Sequence, residues 1–252
     1  MRFALGFLFL AALTLPVAAE AQFAKPGIDQ QIKLGKQAAK DIRAHEKILP
    51  ASDTRVQTLR RVALRILATF TDADEPWEYS FDVIDSKEIN AFALPGGSTF
   101  FFTGLMDRLK TEDELAGVLG HELTHVRKEH WAHAYRDQMN RNVLMTVGAV
   151  VLRPSRDVLN AADMTANIAF ELPFSRKHES EADDGGFESM TKAGYNPQGL
   201  ADVFKMLSES VSGQPPEWLS DHPSDKKRIQ KIQDRIDHDG RVFPAQRPID
   251  YR

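Results

Sequence analysis

The sequence predicts a helix-rich α+β domain with a small antiparallel or mixed sheet. Apolar residues recur at helical spacing through most of the chain, and one region near residue 80 changes to a spacing of two. Of the 252 residues, 42% are hydrophobic and 27% are charged, which is enough apolar material for one sizeable core. No internal repeat is present. Because most of the pattern is helical and the strand region is short, we expect several helices packed on a small sheet.

The composition limits the possible chemistry. The chain has no cysteine, so disulfides, thiol catalysis and cysteine-ligated metal sites are excluded. Any metal must therefore be held by histidines and carboxylates. Lys and Arg number 32 against 36 Asp and Glu, with no basic block, and we expect no nucleic-acid partner.

The first 21 residues have the pattern of a secretory signal peptide. Arg2 precedes an apolar run over residues 3–15, Pro16 ends that run, and Ala19-Glu20-Ala21 offers small residues at a cleavage site. The run is shorter than the ~20 residues of a membrane-spanning helix, which favours cleavage over an uncleaved anchor. Residues 22–252 are then expected to form a single domain outside the cytoplasm.

The N-terminal part predicts two helices followed by three short strands. Helical spacing covers residues 28–48, and Ser52 is a candidate cap for a second helix. Alternating residues over 77–83 predict a half-buried strand, and further strands are expected over 89–94 and 98–103 around a Pro95-Gly96-Gly97 turn.

From residue 111 onward the pattern is helical. Thr111 and Glu114 form a T-x-x-E capping box, and the helix that follows is predicted to continue to about Arg141. The apolar stretch 143–152 is too short to cross a bilayer and is interpreted as a buried helix or a membrane-touching flap. The remaining predicted segments are helices over 175–193 and 197–211, a loop over 212–223, and a last helix from Ser224.

The strongest chemical motif is His121-Glu122-Leu123-Thr124-His125. Residues four apart on a helix lie one turn apart on one face, so both imidazoles can bind one Zn²⁺. Glu122 points along the rim of that face, where it can act as a general base without being a ligand. The alternative is two histidines packed in a core beside a solvated glutamate.

Two histidines leave a catalytic zinc one protein ligand short. The motif H-E-x-x-H-x-x-G-x-x-H is absent, because Lys128 and Trp131 occupy the glycine and third histidine positions. On a continuous helix His130 and His133 do not reach the metal, and both are interpreted as surface or packing histidines. The third ligand is then expected to be a carboxylate, and four candidates stand by position: Glu171, Glu179, Glu181 and Glu188.

The acidic cluster around residue 180 offers two groups on one helical face. Glu179 and Asp183 are spaced i,i+4, so one can bind metal while the other orients a ligand histidine. Gly185 and Gly186 are costly inside a helix, which indicates close packing against the histidine helix. A solvated helix face is the alternative.

These motifs together resemble a known family. In order, the chain carries Asn90-Ala-Phe-Ala93, Gly96-Gly97, Glu112-Asp-Glu-Leu115, His121-Glu-Leu-Thr-His125, Ser175-Arg176, Glu179-x-x-Ala-Asp183 and His222-Pro223. This set is similar to the zinc metallopeptidase family forty-eight, which contains the heat-shock protease HtpX and the CAAX prenyl protease, and the resemblance covers about residues 28–238. The chain lacks the transmembrane helices of the membrane-embedded members and so resembles the soluble periplasmic branch.

The resemblance implies a gluzincin-type fold and one Zn²⁺ per chain. It implies Glu179 as the third ligand beside His121 and His125, and Asp183 as the group that supports a ligand. His222 is implied to stabilise the oxyanion or to occupy the open coordination position, with a plain loop histidine as the alternative. Arg176 is expected to pair with the acidic cluster or with substrate, unless its role is an ordinary surface one.

Under this interpretation the strand over residues 98–103 is the exposed edge of the cleft, and an extended substrate adds to it. The expected edge residues are Asn90, Phe92, Ser98, Thr99, Phe100, Phe101 and Phe102. At least one face of that strand is expected to be core.

The expected function is a secreted or periplasmic zinc metalloendopeptidase that acts on unfolded or envelope proteins, with possible peripheral membrane contact. Two alternatives stay open: a proteolytically latent, chaperone-like module that binds unfolded proteins, and a zinc hydrolase with non-peptide substrates.

Overall fold

The computed structural model describes residues 23–70, 76–152, 174–209, 216–222 and 226–251, without the side chains of 142–152 and 221. The predicted signal peptide at 1–21 lies outside the described residues, as do Glu171 and Pro223.

The sheet is small and mixed. Its strands are β1 (Ser80–Ile84), β2 (Ala91–Ala93) and β3 (Ser98–Phe102), in the order β1-β3-β2. β1 runs parallel to β3, whereas β2 runs antiparallel to it. The α+β prediction with a small mixed sheet is therefore confirmed.

Helices supply most of the remaining structure. In the described part of the chain they are α1 (Ile28–His45), α2 (Thr54–Leu67), α3 (Thr103–Met106), α4 (Glu112–Arg127), α5 (His130–Leu152), α6 (Arg176–Lys192), α7 (Gln198–Glu209), α8 (Glu217–Asp221) and α9 (Lys226–His238). The cap of α2 is Asp53 rather than Ser52, since its side chain accepts a hydrogen bond from the Arg55 amide. The short helix α8 lies inside the segment that was predicted to be a loop.

Helix α4 begins at the predicted capping box. Thr111 Oγ1 accepts from the Glu114 amide at 3.1 Å, and the Glu114 carboxylate accepts from the Thr111 amide at 3.0 Å. The C-terminal tail returns to the same point, where the Ile249 amide donates to the Lys110 carbonyl at 2.9 Å. The capping box and the C-terminal tail thus both help to fix where α4 starts.

Helix α4 is the centre of the core. Fifteen of its residues, from Glu112 to Val126, are buried, and it packs against α2, α5, α6, α7 and β2. Its apolar stripe, including Leu115, Leu119 and Leu123, belongs to the main hydrophobic cluster with α2 and α7. A helix enclosed on all sides gives its side chains fixed positions.

The predicted single helix from residue 111 to Arg141 is two helices. α4 ends at Arg127, and Glu129 adopts a φ of 53°, a left-handed conformation that breaks the helical path before α5 begins at His130. The Glu129 carboxylate pairs with Lys25 and accepts from Gln31 Nε2 at 2.7 Å. These contacts from the N-terminal segment stabilise the corner.

The apolar stretch 143–152 forms the last turns of α5. Within the described ranges, no helix combines the length and the apolar character that a bilayer crossing requires.

Candidate metal centre

The two histidines of the H-E-x-x-H motif converge as their spacing predicts. His121 and His125 are both buried on α4, and their Nε2 atoms lie 3.0 Å apart. The phenyl ring of Phe174 covers the His125 ring at a centroid distance of 4.1 Å. Both side chains are thus held with the same ring nitrogen turned toward one point.

Glu179 reaches that point from α6. Its carboxylate oxygens lie 3.6 Å from His121 Nε2 and 3.6 Å from His125 Nε2, and its side chain is 1% exposed. Burial opposes ionisation, but the hydrogen bond with His222 and the nearby positive charge of Arg228 lower the pKa of Glu179. The residue is therefore a buried carboxylate at the centre of the cluster.

Close packing of α6 on α4 brings Glu179 to the two histidines, as Gly185 and Gly186 indicated in the sequence. A Cβ on Gly186 would lie 2.9 Å from the His121 amide nitrogen, and a Cβ on Gly120 would lie 3.1 Å from Gly186 Cα. The two backbones approach each other without side chains between them. The sequence-based expectation of close packing is confirmed.

Substituting Gly186→Ala tests this packing. Alanine favours a helix by about 1 kcal/mol over glycine, yet we expect a net destabilisation of about 1–3 kcal/mol because the added methyl overpacks the interface. Urea unfolding of the metal-free protein measures the effect. Ser180→Ala, on a half-exposed position of the same helix, is the control, and an unchanged or more stable Gly186→Ala protein would contradict the packing argument.

His222 completes the cluster from the end of α8. Its Nδ1 atom lies 3.2 Å from Glu179 Oε1 and 3.2 Å from His121 Nε2, while its Nε2 atom lies 3.4 Å from Glu122 Oε1. Burial opposes protonation, but the carboxylates of Glu122 and Glu179 outweigh it and raise the pKa of His222. The resemblance implies that His222 either stabilises the oxyanion or occupies the open coordination position. The geometry here corresponds to the second of these, because Nδ1 stands as a fourth donor atom beside those of His121, His125 and Glu179.

Asp183 supports His121 from behind. Asp183 Oδ1 lies 3.1 Å from His121 Nδ1, and Arg228 of α9 donates to both Asp183 oxygens at 2.7 and 2.8 Å. Burial opposes ionisation, but the hydrogen bonds from Arg228 and His121 lower the pKa of Asp183 to about 2. The ionised carboxylate can accept a hydrogen bond from the Nδ1–H group of His121. In that tautomer His121 Nε2 carries no proton and has its lone pair available.

Arg176 does not fill the role expected for an arginine near the acidic cluster. It is exposed at the start of α6, and among the described residues it forms no ion pair with Asp183 or Glu179. Arg228 pairs with both carboxylates instead, at 2.8 Å from Glu179 Oε2. Helix α9, distant in sequence, supplies the guanidinium at the acidic cluster, and for Arg176 the contact with substrate and the ordinary surface role stay predictions.

His130 was interpreted as a surface or packing residue, and its position is closer to the site than a continuous helix would place it. It is 1% exposed, and its Nδ1 atom lies 3.1 Å from His125 Nδ1. Burial lowers the pKa of His130 to about 4 and lowers the pKa of His125 well below its usual value, so both imidazoles are neutral near pH 7. His133 is half-buried and takes no part in the cluster.

The donor set fits a divalent metal. Suitable atoms of His121, His125, Glu179 and His222 all lie within 4.8 Å of one another. Ligands of a tetrahedral zinc with bonds of about 2.0–2.1 Å lie about 3.3 Å apart, close to the separations of 3.0–3.6 Å between neighbouring donor atoms here. Two ring nitrogens at 3.0 Å need a proton or a metal ion between them, because two facing lone pairs repel.

Glu122 lies beside the cluster and outside it. Its Oε2 atom accepts from the Ala93 amide at 3.2 Å, and its Oε1 atom accepts from Trp218 Nε1 at 3.0 Å. The side chain is 2% exposed and lies between β2 and the cluster, in contact with the Ala93 amide and 3.4 Å from His222 Nε2. Two donors thus hold the carboxylate in place next to the cluster, which is what a general base at this position would require.

The predicted substrate edge is wrong for its five residues on β3, Ser98 to Phe102. β3 lies between β1 and β2, so both of its hydrogen-bonding edges are occupied, and all five of its residues are buried. Phe100 and Phe102 pack with α1 in a small cluster, while Phe101 belongs to the main core, and Ser98 and Thr99 are also buried. No substrate strand can pair with β3.

The strand that faces the site is β2. The Ala93 amide points away from β3 toward Glu122, and in the described part of the chain no further strand pairs with β2. Phe92 is half-buried on this strand, and Asn90, just before it, is buried and accepts from the Ala91 amide at 2.8 Å. A small, mainly apolar pocket adjoins this edge, lined by Ala93, Leu94, His125, Trp131 and Phe174 among others.

The other candidate carboxylates are not in the cluster. Glu188 pairs with Arg235 and Arg241 on the outer side of α6. Glu181 lies 3.1 Å from His130 Nε2 and has a side chain that is 41% exposed.

Sequence reasoning missed Arg228, Trp218 and the contact of His130 with His125. Nothing in the pattern of α9 separates Arg228 from the other basic residues of that helix. Trp218 carried a weak signal, since a large aromatic residue just before His222 is a natural packing anchor for a loop.

Comparisons with known proteins identify the family. The family model for Peptidase family M48 matches residues 53–236. The chain is 31% identical to "Mitochondrial metalloendopeptidase OMA1" of Schizosaccharomyces pombe over 87% of this chain and 65% of the relative. It is 30% identical to "Metalloprotease LoiP" of Escherichia coli K12, over 90% and 88% of the two chains.

A third relative, "Beta-barrel assembly-enhancing protease" of Escherichia coli K12, is 26% identical over 89% of this chain but 47% of its own length. The chain thus spans about half to two thirds of the length of several relatives and most of LoiP. The family model covers well over half of the chain, and the resemblance drawn from the motifs is confirmed. The chain belongs to peptidase family M48 and is, by family, a metalloprotease of the hydrolase class.

Proposed function

We propose that this protein is a zinc-dependent endopeptidase that hydrolyses peptide bonds in unfolded or envelope proteins. The observation that carries the proposal is the convergence of His121, His125 and Glu179 on one buried point with Glu122 beside it. A zinc ion held there would act as a Lewis acid on the scissile carbonyl and on water.

Glu122 supplies the proton chemistry. Its carboxylate lies at the rim of the donor cluster and within the reach of the β2 edge, so it can take a proton from the attacking water and pass it to the leaving amine. No further strand lies beside β2 in the described part of the chain, so an extended substrate can pair with this edge when the Ala93 amide turns from Glu122 to the substrate. An unfolded chain offers the extended backbone that this mode of binding needs.

The proposal also includes where this protein acts and what its physiological role is. The leader pattern at 1–21 supports export of a domain formed by residues 22–252. A relative whose name refers to enhanced β-barrel assembly supports substrates in the cell envelope and a role in quality control. Peripheral contact with the membrane is part of the same proposal and rests on the apolar stretch 143–152.

His222 supports a second candidate, a latent module that binds unfolded proteins without cutting them. Its Nδ1 atom fills the fourth position of the cluster, so a cleaving state requires the imidazole to give way to water. In the latent candidate the imidazole stays in place.

A chelator experiment separates the two candidates. Purified protein beginning at residue 22 is incubated with casein, with 1,10-phenanthroline, and after re-addition of zinc. We expect about one zinc per chain and casein fragments that disappear with chelator and return with zinc. Intact casein that is kept from aggregating by the zinc-loaded protein would favour the latent module and contradict the endopeptidase.

A further inference from the structure

His125 has an indirect support that differs from the support of His121. The Nδ1 atom of His121 meets a carboxylate directly at Asp183. The Nδ1 atom of His125 meets instead the Nδ1 atom of His130 at 3.1 Å, and the Nε2 atom of His130 meets Glu181 Oε2 at 3.1 Å. A chain of three side chains therefore runs outward from the cluster to a half-exposed carboxylate.

The hydrogen positions along this chain follow from the acceptor at its outer end. An ionised carboxylate only accepts, so His130 must carry its proton on Nε2. With its Nε2 proton directed at Glu181, His130 can present the lone pair of Nδ1 at the 3.1 Å contact, and His125 can donate to it from Nδ1. His125 then has its lone pair on Nε2, the atom that faces the donor cluster.

The fold holds His130 in this orientation. The break at Glu129 turns the chain so that His130, the first residue of α5, packs back onto His125 rather than continuing around α4. The His178 ring stacks on the His130 ring with centroids 4.5 Å apart and an angle of 14° between planes. The Lys177 ammonium lies 3.8 Å from Glu181 and favours its ionised form.

We propose that His130 and Glu181 are positioning residues that fix the tautomer and the orientation of His125 for metal binding. The proposal rests on the proposed zinc site and adds to it a relay that the H-E-x-x-H motif does not contain. Metal-bound histidines commonly donate their second ring N–H to a carboxylate, a carbonyl or water. Here a neutral imidazole takes that place and a carboxylate lies one step further out.

The test compares variants at position 130 by zinc affinity in competition with a colorimetric chelator. His130→Phe keeps a ring of similar size but removes the acceptor, and we expect zinc binding about 10- to 100-fold weaker than in the wild type. His130→Asn places an amide oxygen near the position of Nδ1, and we expect affinity within about threefold of the wild type. His133→Phe, half-buried on the same helix, is the control.

Two further measurements separate positioning from packing. Visible absorption of the cobalt-substituted protein is expected to change in His130→Phe and to be restored in His130→Asn, because it reports the geometry of the ligands. Glu181→Ala changes a partly exposed residue, and we expect it to weaken zinc binding severalfold. The double variant His130→Phe/Glu181→Ala is expected to bind zinc no more weakly than His130→Phe alone, because both changes break the same relay.

The outcomes are distinct. If wild-type protein binds no zinc, the proposed function fails. If wild-type protein binds zinc and His130→Phe binds it equally well, the relay alone is wrong. Equal losses in His130→Phe and His130→Asn, or fully additive losses with Glu181→Ala, would also overturn the relay.

Discussion

The variant Glu122→Gln is expected to keep one zinc per chain and to lose casein cleavage by about 10²–10⁴-fold, the usual contribution of a general base. Glutamine has nearly the same shape, so β2 and the donor cluster should stay in place. It lacks the basic oxygen that takes the proton from the attacking water. Zinc content by atomic absorption and the initial rate of casein cleavage measure the two effects.

The surroundings of Glu122 add a second expectation for the same variant. Its two oxygens accept from two donors, the Ala93 amide and Trp218 Nε1. The amide group of glutamine can accept only one of them and leaves a buried donor unpaired, so we expect a loss of stability of about 1–3 kcal/mol. Glu217→Gln, an exposed neighbour of Trp218, controls for the charge change. Retained cleavage in Glu122→Gln would show that another group moves the proton.

The second large effect is expected from Glu179→Gln. Glu179 and Glu181 are two residues apart on α6, but the first is 1% exposed inside the cluster and the second is 41% exposed at its outer side. We expect Glu179→Gln to weaken zinc binding at least about 100-fold, because a neutral amide is a poor ligand for a divalent cation and the site loses its negative charge. Glu181→Gln should stay within a few-fold of the wild type, since its amide oxygen can still accept from His130.

Zinc affinity from chelator competition, together with thermal unfolding with and without zinc, measures this difference. Zinc should raise the unfolding temperature of the wild type and of Glu181→Gln, and much less that of Glu179→Gln. Arg228 keeps its pair with Asp183 in Glu179→Gln, so the metal-free fold is expected to survive. Equal losses in the two variants would mean that the third ligand is assigned to the wrong residue.

Local signals predicted the helices around the site well. The Thr111–Glu114 capping box fixes where α4 begins, and the i,i+4 spacing of its histidines fixes their common face. The Ser175 cap and the glycine after residue 193 bound α6 in the same way. These features depend on residues within one or two turns of each other, which is why the sequence contains them.

Features that depend on distant segments were not predictable from local patterns. Strand order is one example, since β3 reads as a good edge candidate until β2 and β1 occupy both of its sides. The turn at Glu129 is another, because it contains no glycine and is stabilised by Lys25 and Gln31 from far earlier in the chain. Without that turn, His130 could not be placed against His125.

The enclosure of α4 has a consequence for the metal-free protein. Because Glu112–Val126 is buried against several other elements, its backbone amides can exchange hydrogen with solvent only when the whole domain opens. The spacing of the two imidazoles is thus maintained by the folded domain itself, and the protein without metal already has the donor atoms placed for binding one.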